Sequence, residues 1–160
     1  MSVTTKSNGV PQFKRKIKAI NSRLENPERV WPKVGSYLSH TARRQFSTEG
    51  MWLLGKKWTP LKPETRIRKM RKGYSRKILV ATGAMKATMT SRPMDIEEYH
   101  GSHAVFGSSD PKVEWHSKGT KRNGKRINPP RPILPLTAEV RADLKQIMVQ
   151  YVTGQKATWR

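Results

Sequence analysis

The sequence predicts an α+β fold with an N-terminal helical pair, a small antiparallel β-sheet with long basic loops, and a C-terminal helix. Apolar residues recur at helical spacing over the first third of the chain and again near its end. Between these regions, two short stretches containing Ile, Val, Tyr and Phe flank a Gly-Ser pair, the pattern of a hairpin. Pro and Gly punctuate the rest, and no repeat of solenoid length is present.

Met1 to Pro11 is rich in Ser, Thr, Lys and Gly without periodicity, which predicts a flexible basic arm over 1–11. A single domain is expected over 12–152, with a basic tail over 153–160. From Gln12, residues Phe13, Ile17, Ile20 and Leu24 share one helical face while Lys14, Arg15, Lys16 and Lys18 turn away, so this stripe is expected in the core. Asn26-Pro27-Glu28 reads as N-cap, first-turn proline and first-turn acid of a second helix reaching about Thr48. Its stripe is Val30, Val34, Tyr37, Leu38, Thr41 and Phe46, and Pro32 lies early enough to be tolerated.

Glu49-Gly50 ends that helix, and Trp52 to Pro63 predicts an ordered loop anchored by buried Trp58 and Leu61. Thr65 to Lys77 is the densest basic run, with Arg66, Arg68, Lys69, Arg71, Lys72, Arg76 and Lys77 and no acid. Ile78 to Val80 is a short apolar segment, Thr82-Gly83 breaks the chain, and Ala84 to Ser91 predicts a turn or short helix before a strand. Met94 to His100 and His103 to Gly107 then form strands joined through Gly101-Ser102. Basic residues broken by glycines and prolines predict an extended loop or arm over about 112–135. Thr137 caps a closing helix to Val152, whose core face is Val140, Leu144, Ile147, Met148 and Tyr151.

Charge bounds the function. The 160 residues hold 33 Lys plus Arg against 11 Asp plus Glu, a net +22, far more than solubility requires. Nucleic acid is the first partner this suggests, then an acidic protein surface, then an anionic membrane. With only 34% hydrophobic residues the core is modest, so oligomerisation would help a self-repelling chain. The lack of cysteine excludes disulfides, thiolate chemistry and cysteine metal sites, and fits a reducing cytoplasm. No apolar run is long enough for a membrane span or signal peptide, so a soluble chain without a membrane partner is expected.

Catalytic chemistry finds little support. Of His40, His100, His103 and His116, only His100 and His103 are near neighbours; three apart on a strand they point to opposite faces, with at most Glu98 to assist. Asp95, Glu97, Glu98 and Asp110 form an acidic grouping without nuclease spacing, better suited to meeting a basic patch of a neighbouring subunit. No metal, cofactor or enzymatic activity is therefore expected.

Several short segments in fixed order carry a resemblance. Phe46 lies within Arg44-Gln45-Phe46-Ser47-Thr48-Glu49-Gly50, followed by Trp58-Thr59-Pro60-Leu61, then Thr65 and the basic run. Next come Ile78-Leu79-Val80-Ala81-Thr82-Gly83-Ala84-Met85, Trp115-His116-Ser117-Lys118-Gly119 and Arg131-Pro132-Ile133-Leu134. Over about 12–152 this order resembles the virion morphogenesis, or tail completion, proteins of tailed bacteriophages and the similar head-tail joining (neck) proteins. Met85 stands where that pattern has Leu, Ser117 where it has Gln and Ile133 where it has Phe, and Lys121 to Arg126 is a basic insertion. The resemblance implies a non-enzymatic structural protein in the neck or tail of a virion, assembled in the host cytoplasm. It also implies a closed ring, typically of six subunits, beside connector, neck or tail-tube proteins.

Within that frame, Phe46, Trp58, Pro60, Leu61, Thr65, Thr82, Gly83, His116, Gly119, Arg131, Pro132 and Leu134 are expected as structural motif residues. The seven cations of 65–77, with Lys118, Lys121, Arg122, Lys125 and Arg126, are expected to face packaged double-stranded DNA or an acidic partner. Tyr74, Tyr99 and Trp115 are too sparse for a single-strand stacking platform. A lumen wall of arginines would hold DNA that must slide, so part of the charge is expected to dock on acidic faces of adjoining rings. Trp31, Trp52, Asp95, Glu97 and Glu98 are candidate subunit contacts. The alternatives are a basic nucleic-acid-binding protein of ribosomal type and, further off, a small nuclease.

Overall fold

The computed structural model describes residues 9–155; the remainder of the expected arm (1–8) and tail (156–160) lies outside the described residues. The chain runs through α1 (Val10–Glu25), a 3-10 turn (Pro27–Val30), α2 (Trp31–Ser47), α3 (Met51–Leu54), α4 (Pro63–Arg71) and α5 (Ala84–Thr90). It continues through β1 (Ile96–His100), β2 (His103–Gly107), α6 (Pro111–Lys118), β3 (Thr120–Arg122), β4 (Lys125–Asn128) and α7 (Ala138–Thr153). The class is α+β, with two separate two-stranded antiparallel hairpins in place of one small sheet.

α2 is the axis of the core. Its helical stripe places Val34, Tyr37, Leu38, Ala42 and Phe46 inward, where they pack with Trp58, Met85, Met89, Met94, Ile133, Val140 and Ile147. Burying such side chains stabilises by roughly 1.5–3 kcal/mol each. α7 closes one side: Thr137 accepts a hydrogen bond from the Val140 amide as expected of its cap, and the Tyr37 hydroxyl donates to Asp143 at 2.8 Å. β1 and β2 pair from Ile96↔Gly107 to His100↔His103, and their Ala104 and Phe106 pack on the core. A lone hairpin is marginal in water, so this one depends on close approach to α2. Gly35 permits that approach: a Cβ there would lie 2.1 Å from the Arg92 guanidinium, 2.8 Å from Glu97 and 2.9 Å from the Phe106 ring.

Several expectations are corrected. The first helix begins at Val10, within the expected arm, with Pro11 in its first turn. No residue of α1 is buried: Phe13 is 64% and Leu24 57% exposed, so its stripe does not enter this chain's core. Only its C-terminal part is tied down, by Arg23 donating to the Val152 carbonyl at 3.0 Å and Tyr151 donating to the Asn26 carbonyl. Asn26 caps nothing; its amide bonds back to the Ser22 carbonyl, and regular α-helix resumes only at Trp31 after the 3-10 turn. The first part of the basic run, Thr65 to Arg71, forms α4 in place of a basic loop, because Pro63 and Glu64 supply a first turn and the arginines and lysines are good helix formers; Lys72 to Lys77 follow it outside any regular element. The stretch expected as an extended loop holds α6 and the β3–β4 hairpin. There Asp110 caps α6 through the Lys112 amide, and Asn123-Gly124 sits at φ 49° and 74°, the left-handed pair of a two-residue hairpin turn.

Candidate functional site

Segments far apart in sequence close into one hydrogen-bonded knot beside α2. Phe46 meets the Trp58 ring edge-on, with centroids 5.8 Å apart. Trp58 Nε1 donates to the Pro132 carbonyl at 3.1 Å, and Gln45 Nε2 donates to the same oxygen at 3.3 Å. Gly50, at φ 98°, lies under the Trp58 indole, where a Cβ would approach to 2.7 Å. The Arg131 amide donates to the His116 carbonyl at 2.7 Å, joining the last two segments of the pattern. Gly119 has φ 74°, and a Cβ there would strike the Asn128 carbonyl at 2.7 Å and the Pro130 nitrogen at 2.9 Å.

Arg131 is only 5% exposed, and its guanidinium donates to the Thr59 and Pro60 carbonyls at 3.0 and 3.4 Å. Among the described residues no carboxylate pairs with it. Burial lowers its pKa, although an arginine in this range stays charged. His116 beside it is held below its ordinary value, first by burial and then by the Arg131 charge. Arg131 is thus a positioning group that braces the Trp-Thr-Pro-Leu segment, and His116 in turn holds the Arg131 backbone through its carbonyl.

The knot forms one wall of an open cleft of about 420 Å³. Leu61, Thr65, Thr82, Gly83, His116 and Arg131 all line it, so most segments of the family-like pattern converge there. Pro132 and Leu134 are half-buried behind it around buried Ile133, which fills the core position where the pattern has Phe. Pro60 lies exposed at the far side of Leu61. α4 forms the opposite wall, anchored by Lys69, whose ammonium donates to the Lys77 and Val80 carbonyls at 2.7 Å each. Burial lowers the Lys69 pKa, and the nearby Glu49 charge partly offsets this.

The other candidate cations sort by engagement. Arg66, Arg68, Arg71, Lys72, Arg76 and Lys77 are exposed, whereas Lys69 is partly buried and bonded to carbonyls. Lys118 pairs with Glu114 at 2.6 Å along α6, an exposed bridge. On the β3–β4 ribbon, Lys121 lies opposite Arg126 and Arg122 opposite Lys125, all exposed. Like charges facing each other across a ladder are destabilising, and among the described residues no carboxylate forms an ion pair with these four cations.

Among the candidate subunit contacts, Trp31 is corrected: it is 9% exposed in the core, its Nε1 donating to the Gly101 carbonyl at 3.0 Å. Trp52 is exposed on α3 with the Arg44 guanidinium 3.4 Å above its ring. Asp95 accepts from the Ser109 amide and hydroxyl, which lower its pKa. Burial opposes ionisation of Glu97, but bonds from Tyr99 and the Met94 amide and the Arg92 charge outweigh it. Its Arg92 bridge is 2.7 Å long, so Glu97 is tied into the hairpin, whereas Asp95, though bonded to Ser109, and Glu98 are exposed. His100 and His103 are register partners and stack at 5.0 Å on one face, contrary to the opposite faces expected for a continuous strand. Among the described residues no group of three or more His, Asp or Glu is placed to hold a metal. Among them, too, no helix is long and apolar enough to cross a membrane.

Sequence reasoning missed the ribbon and the buried role of Arg131. Asn123-Gly124 between basic strands was the available signal for the first; nothing local distinguishes a buried arginine from an exposed one. A model of the phage virion morphogenesis family matches residues 9–153. No curated protein and no solved structure matches the chain.

Proposed function

This chain belongs to the phage virion morphogenesis family, and from that premise we propose that it is a non-enzymatic structural protein of the head–tail interface. It serves there as a tail-completion, tail-terminator or neck component and assembles with copies of itself as a ring, of six subunits by the resemblance, around the DNA passage. The observation that carries this reading is the uncovered stripe of α1. Val10, Phe13, Ile17 and Leu24 are exposed on one helix of a chain whose other long helices bury theirs. Ile20 of the same stripe is half-buried, but four apolar residues left exposed along one helical face are more than the scattered apolar exposure that needs no explanation. In a closed ring each copy presents one surface to a different surface of the next, which covers such a face without an open end.

The ribbon and α4 supply the anion-facing surface, toward packaged DNA or acidic faces of adjoining connector, neck or tail-tube proteins. Negative-stain imaging with light scattering of the purified protein tests the proposal. Closed rings are expected; a monomer that co-purifies with RNA would instead favour the ribosomal-type reading. Charge reversal of Lys121, Arg122, Lys125 and Arg126 is expected to block the joining of heads to tails, read as the yield of infectious particles.

A further inference from the structure

The cleft between α4 and the knot has a two-part chemistry. Its floor is apolar, formed by Leu61, Leu79, Val80 and Met85. Its rim carries Arg68, Lys72 and Lys112, Arg131 stands in the wall, and no acidic residue lines it. Lys112 has Asp110 at 3.5 Å, whereas among the described residues Arg68 and Lys72 have no ion pair. The buried Arg131 guanidinium has carbonyl partners but no countercharge, so an anion entering beside it gains from a weakly screened field. Leu79 is held at φ 60°, a conformation that a leucine rarely adopts and that surrounding structure must impose. The Lys69 bonds to the Lys77 and Val80 carbonyls brace that loop against α4, so the cleft is preformed.

We infer that this cleft binds an acidic peptide segment carrying a bulky apolar side chain, contributed by a neighbouring protein of different sequence. The apolar side chain fills the floor and the flanking carboxylates meet Arg68, Lys72 and the Arg131 wall. A cavity of this size suits one or two side chains. A DNA backbone matches it less well, because phosphates gain nothing from an apolar floor. This chain is a poor source of the segment: its acid-rich stretch from Asp95 to Glu98 has Asp95 and Glu97 engaged in the hairpin. The inference rests on the assembly reading only for the origin of the peptide, and not for the site.

The test is fluorescence anisotropy with a short labelled peptide of alternating glutamate and leucine, its glutamine counterpart, and a short labelled DNA duplex. Wild-type protein is expected to bind the glutamate peptide and not the glutamine one. The double variant Arg68→Glu/Lys72→Glu is expected to weaken binding by roughly tenfold or more, as loss of close interfacial charge pairs does. Lys14→Glu/Lys18→Glu, with the same change in net charge on α1, is expected to leave it within about twofold. Ala84→Trp, which fills the cleft from an exposed position without changing charge, is expected to abolish it. Equal losses from the two charge-reversal variants, or no effect of Ala84→Trp, would overturn the site. Duplex binding that Ala84→Trp abolishes, with no peptide binding, would overturn the choice of ligand. Light scattering on the same variants separates the two readings: rings without peptide binding defeat this inference alone.

Discussion

α1 and α2 are adjacent amphipathic helices of 16 and 17 residues, and the chain treats them in opposite ways. α2 buries its stripe in the core among α3, α5, α7 and the β1–β2 hairpin, while α1 buries no residue and is tied down only near its C-terminal end. Periodicity says which face of a helix avoids water. It does not say whether the covering surface comes from the same chain.

The largest expected effect sharpens this contrast with one chemical change made twice. Phe46→Ala, in the α2 stripe and against Trp58, is expected to cost about 3–5 kcal/mol in urea unfolding of dissociated chains. Phe13→Ala, in the α1 stripe, is expected to cost less than about 0.5 kcal/mol in the same measurement. Next in size is Gly35→Val on α2. The hairpin has no room for the added atoms, and a loss of about 1–3 kcal/mol is expected by thermal unfolding.

The comparison extends to charge. Arg131 is buried and bonded to carbonyls, whereas the four ribbon cations face one another in water. Neutralising Lys121, Arg122, Lys125 and Arg126 to glutamine is expected to leave stability unchanged or slightly raised. If the ribbon meets duplex DNA, the slope of log affinity against log salt becomes shallower by roughly 3–4. An unchanged slope would assign the ribbon to a protein partner.

The smallest effect is on pH. Burial and Arg131 lower the pKa of His116, so the folded state favours the neutral ring while the unfolded chain takes up a proton near 6.5. Its stabilising contribution is complete above pH 6.5 and is lost as pH falls through the lowered folded value. Asp95 and Glu97, also lowered, add their contributions above 3.8 and 4.5 and lose them further into acid. His116→Gln is expected to flatten the first part of the acid limb in a melting-temperature profile and leave the second.

The three long helices and the β1–β2 hairpin were legible because each has a period, a cap or a turn written locally, as in Thr137 and Gly101-Ser102. α4 was not, because its cations and exposed Ile67 and Met70 make no inward stripe. The ribbon was obscured because basic composition outweighed the Asn123-Gly124 signal. Of the site, the order of the segments could be read, but their convergence could not. Contacts such as Trp58 to Pro132 and Arg131 to Thr59 join residues more than 70 positions apart. The burial of Arg131 follows from that closure, and that of Trp31 from its contact with the hairpin turn at Gly101; neither follows from a local pattern.

The most direct test of the central claim is light scattering combined with thermal unfolding on Phe13→Ser/Ile17→Ser. Loss of the ring with the melting temperature of the dissociated chain preserved is the predicted result. A ring that persists, or a dissociated chain destabilised as much as Phe46→Ala, would show that the α1 stripe does not serve assembly.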